Sequence, residues 1–416
     1  MEMKKLYQHQ IDIITDDKPK TGLFMGTGSG KTLTALCLAR GKTLVIAPKT
    51  QKEDGNWERE LKVNGLSLDL TVISKETFRR DWESLPRFDT IIIDEAHTTL
   101  GATPNIRWKD KKPIPKTSQL FEALEMFLAK TRPQRLYLCT ATPIRSPMTV
   151  WAAAKLLGRD WNFYDFRDTF YFKLPIPGRE AWQAKSDDVS KDHLGSLVRK
   201  LGYVGQLSDY FDVPDQNYVV KYVELTAKQK DRIKELKLEY PDPLVLCGKK
   251  HQVENGILAG DEFNAPEYFD NEKIDKILDL ALEFPRLVIF AKYTAQIATM
   301  ATKLRQEGYK VLTLEGSTKD RGSVLLEANN SPKCVFIAQS QVSSGWELPD
   351  FPTMVFASMS YSIVDRIQGE GRILRANHLK KNLYITLVTK GGVDEAVFKS
   401  INNKKDFNDR MYVEGS

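Results

Sequence analysis

Eight consecutive residues, Met25-Gly26-Thr27-Gly28-Ser29-Gly30-Lys31-Thr32, stand between a short apolar run and the helix-compatible stretch LTALCLA. Three glycines permit a tight loop whose backbone N–H groups point inward, and the helix that follows adds the positive end of its dipole. Such a loop cradles phosphate. Lys31 then reaches the β and γ phosphates and the Thr32 hydroxyl ligates magnesium, while Gly26, Thr27, Gly28, Ser29 and Gly30 form the cradle. Met25 departs from the strict pattern, which begins with glycine; Gly30-Lys31-Thr32 carry most of the chemistry. Further on, the run Thr90–Ile93 ends in Asp94-Glu95-Ala96-His97. An aspartate closing a parallel strand beside a phosphate loop supplies a second magnesium contact, and an adjacent glutamate can orient and deprotonate an attacking water. Asp94 is the candidate magnesium carboxylate and Glu95 the candidate base.

These residues need a scaffold, and the sequence repeats one. Between residues 20 and 150, short β-rich runs alternate with helix-compatible polar stretches: Leu23–Met25, Thr43–Ala47, Leu70–Ile73, Thr90–Ile93 and Leu136–Cys139. Near-continuous apolar strands separated by helices predict a parallel sheet covered on both faces. The phrase starts again at 287–290, 311–314, 334–337, 353–356 and 383–388, with an amphipathic helix predicted over Thr294–Glu307 and ended by Gly308. The fold class is therefore α/β in two lobes, 1–212 with a helical extension over 145–212, and 213–416 with a linker and helical region over 226–285. The extension is rich in aromatics (Trp151, Trp161, Phe163, Tyr164, Phe166, Phe170, Tyr171, Phe172), which at this spacing read as helix packing in preference to base stacking.

Composition narrows the class. The chain has 416 residues, a net charge of +6, and 41% hydrophobic against 28% charged residues, an ordinary globular balance. No apolar stretch approaches the roughly 18 residues that span a bilayer, so a soluble, cytoplasmic protein without membrane contact is expected. Four cysteines without a CxxC pair, and five histidines, indicate neither a disulfide framework nor a zinc cluster.

GSGKT followed by DEAH resembles the motif pair of superfamily 2 helicases and translocases. Thr140-Ala141-Thr142-Pro143 is similar to that family's third motif, and Gln368-Gly369-Glu370-Gly371-Arg372-Ile373-Leu374-Arg375 fits its sixth, QxxGRxxR. Finer features resemble the Swi/Snf-like branch. Leu6-Tyr7-Gln8-His9-Gln10 is similar to its glutamine motif, with Gln10 as the adenine contact and Gln8 as a competing register. Asn56-Trp57-Glu58-Arg59-Glu60 resembles its WxxE element, and Leu314-Glu315-Gly316-Ser317-Thr318 its LDGST. Residues 337–348 resemble the fifth motif, with serines for a glycine pair and Glu347 where Asn is usual. The resemblance implies two RecA-like lobes, ATP and magnesium as nucleotide and cofactor, and Gln368, Arg372 and Arg375 acting with Lys31 and Glu95. Arg375 is the expected arginine finger and Arg372 its phosphate-contacting neighbour, on one helix face if Ser362–Arg375 is helical. It implies a monomeric DNA translocase acting on duplex or branched DNA in recombination or repair; the alternatives are an RNA helicase and a nucleic-acid-binding scaffold with a vestigial ATP site. The chain's brevity resembles minimal phage and bacterial members.

Backbone grip without sequence reading needs hydroxyls and lysines aimed at phosphates. Candidates at strand ends are Lys49, Thr50, Ser74, Lys75, Lys292, Tyr293, Ser317, Thr318 and Ser340. Residues 101–120 hold five basic residues against Asp110, with Trp108 and three prolines, and read as an ordered basic loop that touches DNA phosphates.

Overall fold

The computed structural model describes residues 5–175, 180–260, 264–342, 346–374 and 379–402. Arg375, and residues 343–345 of the fifth-motif segment, lie outside them. The chain divides into two compact units between Asp212 and Val213.

The first unit carries β1 (Lys20–Met25), β2 (Lys42–Ala47), β3 (Asp69–Ser74), β4 (Thr90–Ile93), β5 (Ala102–Lys109), β6 (Lys112–Thr117), β7 (Arg135–Cys139), β8 (Tyr171–Leu174), β9 (Ala181–Ala184) and β10 (Gly202–Gly205). Six of these form one sheet in the order β10-β1-β7-β4-β2-β3, every pair parallel. Alternation along the strands feeds two cores. Phe24, Leu44, Ile46, Ile91, Ile93, Leu136 and Leu138 face one layer of helices. Leu23, Met25, Val45, Ala47, Ile92, Tyr137 and Cys139 face the other. Trp151, Phe163, Phe166, Phe170 and Tyr171 are buried in the first of these cores, so the aromatic-rich segment packs helices onto the sheet; Tyr164 and Phe172 stay exposed. Strand β10 was not expected. It lies so close to β1 that a Cβ on Gly202 would sit 2.1 Å from the Gly22 carbonyl oxygen, which restricts the crossing to glycine.

Residues 102–117 are not a loop. β5 and β6 pair as an antiparallel hairpin closed by Asp110-Lys111, both at positive φ (49° and 60°), the backbone that a two-residue hairpin turn requires.

The second unit carries β11 (Asn217–Val223), β12 (Ile257–Leu258), β13 (Glu267–Tyr268), β14 (Arg286–Ala291), β15 (Val311–Leu314), β16 (Cys334–Gln339), β17 (Thr353–Phe356) and β18 (Leu383–Thr389). Its main sheet is again six-stranded and parallel, in the order β11-β18-β17-β14-β16-β15. Helix Thr294–Gln306 buries Ile297, Met300, Ala301 and Leu304 and passes into Gly308 at φ 82°. Two parallel sheets flanked by helices are the build of RecA-like lobes.

Within the second unit a polar nest ties helices to the last strand. Lys273, fully buried, donates to Asp394 Oδ2, to Asn255 Oδ1 (2.7 Å) and to the Ala357 carbonyl (2.9 Å). The other Asp394 oxygen lies 2.8 Å from His251 Nε2, and His251 Nδ1 is 2.7 Å from the Tyr293 hydroxyl. Burial pushes the Asp394 carboxyl up, but the Lys273 charge and the His251 hydrogen bond outweigh it and hold the group well below the usual carboxylate range.

Candidate functional site

In the first sheet β7 lies between β1 and β4, so the segments leaving the carboxyl ends of these strands are neighbours. Residues 26–32 leave β1, Thr140–Pro143 leave β7 and Asp94–His97 leave β4. Open parallel sheets bind ligands at this edge.

The loop after β1 has Gly28 at φ 78° and Gly30 at φ 84°, and helix Lys31–Leu38 starts directly from Gly30. Ser29 donates to the Gly26 carbonyl (2.8 Å), and Lys31 Nζ donates to the carbonyls of Met25 (2.8 Å) and Gly26 (2.9 Å). The ammonium is thus held at the start of the loop, on the same turn that its glycines keep open. Gln10 packs against the other side. Its Oε1 accepts from Tyr7 N (2.9 Å), and its Nε2 donates to the Gly30 carbonyl (3.1 Å) and Thr34 Oγ1 (3.3 Å). With 1% of its surface exposed and the amide engaged on the loop, Gln10, the expected adenine contact, shapes the cradle. Gln8 is exposed and bonds Asp12.

A second brace was not legible from spacing. His9 Nε2 lies 2.9 Å from the Ser29 carbonyl and its ring stacks on Tyr210 at 3.9 Å between centroids, while Tyr7 meets Phe211 edge-on at 4.7 Å. Gly26 N donates to the Gly205 carbonyl at the end of β10. The loop is therefore clamped by chain segments nearly 200 residues apart.

At the end of β4, Asp94 accepts from Trp57 Nε1 (3.2 Å) and from Glu95 N (2.9 Å). Burial and the neighbouring Glu95 charge push its carboxyl up to about 6, against the opposing pull of Lys75. Glu95 sits at φ 42°, a left-handed conformation unfavourable for its side chain, and its Oε2 is buried without a hydrogen-bond partner among the described residues. That oxygen approaches His97 Nδ1 at 3.3 Å, but the contact is not an ion pair. Burial and the charges of Lys75, Arg145 and Lys31 depress His97 to about 3, so the ring is neutral, and Nδ1 bonds Thr140 Oγ1 at 2.8 Å. Thr140 also accepts from Thr142 N (3.1 Å), which joins the segment after β7 to the carboxylate turn.

Lys75 completes this turn from beneath. It is 7% exposed and donates to the Glu95 carbonyl (2.8 Å) and to Thr98 Oγ1 (2.5 Å), and burial lowers it to about 8. Lys75, expected among the nucleic-acid contacts, directs its ammonium to the carboxylate turn. Ser74 is likewise buried and caps helix Lys75–Asp81, accepting from Thr77 N. Ser340 is buried as well. Lys49 and Ser317 are exposed, Thr50 is half-buried, and the Thr318 hydroxyl accepts from Glu315 N (2.9 Å). Lys292 lies 3.7 Å above the Tyr361 ring, and Tyr293 is held by His251.

In the second unit, helix Ile363–Glu370 ends before Gly371, so the helix expected to run to Arg375 is shorter. Gln368 is buried. Arg372, 7% exposed, donates through Nε to the Gln368 carbonyl and through Nη1 to the Trp346 carbonyl, both at 2.9 Å. The side chain expected to touch phosphate is engaged inside its own unit; Arg375 lies outside the described residues.

Residues 271–377 match the family described as helicase conserved C-terminal domain, a span that covers Lys273, β14 to β17, Gln368 and Arg372. The chain is also 27% identical over 142 residues to the chromatin-remodeling ATPase INO80 of Mycosarcoma maydis, covering 33% of this chain and 7% of that protein. It is 25% identical over 150 residues to the SWI/SNF chromatin-remodeling complex subunit snf22 of Schizosaccharomyces pombe, covering 35% of this chain and 9% of that protein. These matches support a superfamily 2 helicase-like protein. The chain spans less than a tenth of the length of the two curated relatives. Both are fungal and lend no support to a phage or bacterial source. Among the described residues, no helix is long and apolar enough to cross a membrane.

Proposed function

We propose that the chain is an ATP-dependent nucleic-acid translocase that acts on DNA. The observation that carries this reading is the adjacency of a glycine loop, its lysine and a buried, unpartnered carboxylate oxygen at one edge of a parallel sheet. Lys31 exchanges its two carbonyl contacts for phosphate oxygens when ATP binds, and Glu95 Oε2 accepts the proton of the attacking water. The neutral His97 and Lys75 keep that carboxylate in place.

The residues also fit magnesium. Among the described residues no group of three His, Cys, Asp or Glu side chains could hold a metal by itself, which suits an ion that keeps its waters and shares phosphate oxygens. Thr32 and Asp94 would hold it, and when bound it neutralises phosphate charge. The raised Asp94 carboxyl supports this assignment, because a cation would relieve its repulsion with Glu95. Arg375 stabilises charge on the γ-phosphate in this reading, with Arg372 and Gln368 fixing the segment before it. Nucleic acid is gripped through Lys49, Thr50, Lys292, Ser317 and Thr318.

The test is the ATPase rate with duplex DNA, single-stranded DNA and RNA, with Lys31→Ala as control. Duplex DNA should stimulate most, and Lys31→Ala should remove at least 10³-fold of the stimulated rate. Stimulation by RNA alone would replace the reading with an RNA helicase; no hydrolysis with any polymer would leave a binding scaffold.

A further inference from the structure

The hairpin β5–β6 has a root fixed in the first unit and a tip that makes no use of its own side chains. At the root, Ala102 and Ile106 pack against the core, Arg107 pairs with Glu122 at 2.7 Å, and Thr117 donates to the same carboxylate at 2.9 Å. Ser118 N donates to the Gly101 carbonyl, and Leu100 N to that of Ala96, so the strands leave directly from the turn that carries Glu95 and His97. At the tip, Trp108 is 70% exposed. Lys109 and Lys112 stand directly opposite one another, Lys111 occupies the turn between them, and Lys116 follows on the same strand; all four are exposed, with no ion pair among the described residues.

Neither feature benefits the hairpin. Like charges directly opposite in a ladder destabilise it, and an isolated two-stranded ribbon is marginal in water. An indole is seldom left so bare. Both costs are relieved by one kind of ligand, a polyanion that also offers flat aromatic faces. Pro113 and Pro115 remove two donors from β6, which blunts this ribbon against pairing with another strand and leaves its side chains as the means of contact.

We infer that the hairpin tip binds single-stranded nucleic acid, Trp108 stacking on an unpaired base while Lys109, Lys111 and Lys112 contact the flanking phosphates. In a duplex the base faces are covered by their neighbours, so stacking selects a strand end, a fork or a displaced strand. This inference rests on the nucleic-acid reading above and adds to it a preference for unpaired bases, set by an element rooted in the carboxylate turn.

The experiment measures binding of the full-length chain to three fluorescent DNAs, a single strand, a blunt duplex and a fork, over a salt series. Circular dichroism of each variant checks the fold. Stacking contributes about 1–3 kcal/mol per base, so Trp108→Ala should weaken single-strand and fork binding about 5- to 150-fold and leave the blunt duplex within about 2-fold. Trp108→Phe, which keeps an aromatic face, should retain most of the affinity. The triple variant Lys109→Gln, Lys111→Gln, Lys112→Gln should flatten the salt slope for the single strand by about 2. Unchanged single-strand binding in all variants, or equal losses on duplex and single strand, overturns the inference, as does loss of binding to anionic lipid vesicles in its place. A wild-type chain that binds none of the three DNAs overturns the nucleic-acid reading itself, which separates the two failures.

Discussion

Each unit buries charged side chains near the ends of its strands, and the two nests are opposite in character. In the second unit Asp394 is met on both oxygens, by Lys273, His251 and Thr389, and is held below the ordinary carboxylate range. In the first, Asp94 faces a second carboxylate and is pushed up to about 6, Glu95 Oε2 has no hydrogen-bond partner among the described residues, and Lys75 is turned to carbonyl and hydroxyl oxygens instead of the carboxylates. Burial alone therefore does not mark function. A nest whose hydrogen bonds are complete reads as structural, whereas the one left short of positive charge is the one proposed above to take a ligand that brings it.

Three substitutions test that contrast. The largest effect is expected from Glu95→Gln, which keeps the shape and removes the proposed base: turnover should fall about 10²- to 10⁴-fold while nucleotide binding persists. Pre-steady-state hydrolysis measures this, and a near-normal rate would place the base elsewhere. Next comes Asp394→Asn, which leaves Lys273 buried without its counter-charge and should lower stability by about 3–5 kcal/mol in urea unfolding. Because the Asp394 carboxyl is depressed in the folded chain, its wild-type contribution is present above the unfolded carboxylate value and fades as pH falls below about 4.

The smallest effect, and the sharpest, is Asp94→Asn. A carboxyl raised on folding binds its proton more tightly in the native state, so the wild type loses stability as pH rises from about 4 to 6 and carries that penalty at neutral pH. Removing the charge should stabilise the unliganded chain by on the order of 1 kcal/mol above pH 6, after allowing for solvent screening, and by nothing near pH 4. The same variant should lose magnesium-supported turnover. Destabilisation at pH 7 would show that Asp94 belongs with Asp394 as a structural carboxylate.

Most of the two sheets could be read in advance because buried parallel strands are apolar throughout, and runs such as Thr90–Ile93 and Val311–Leu314 coincide with their strands. β10 escaped because four residues with two glycines carry no hydrophobic signature; its place is fixed by close approach to Gly22, a contact 180 residues away. The hairpin escaped because three prolines argue against strands until an edge position makes them harmless. At the site, residue types and order located the loop and the carboxylates. They did not show direction: a lysine following a strand can face solvent or turn under the next loop, and Lys75 does the latter. Nor could spacing show that Trp57, 37 residues before Asp94, supplies its hydrogen bond.

With Glu95 as the base proposed above, its left-handed backbone sets folding and turnover against each other at one codon. Glycine would relax that conformation and asparagine would tolerate it better than glutamate does. A population of variants screened only for soluble, protease-resistant protein should therefore drift toward Gly or Asn at position 95, whereas one screened for hydrolysis should keep Glu and accumulate compensating substitutions elsewhere. Sequencing both pools would turn a single dihedral angle into a measure of how much stability the chain forgoes for its chemistry.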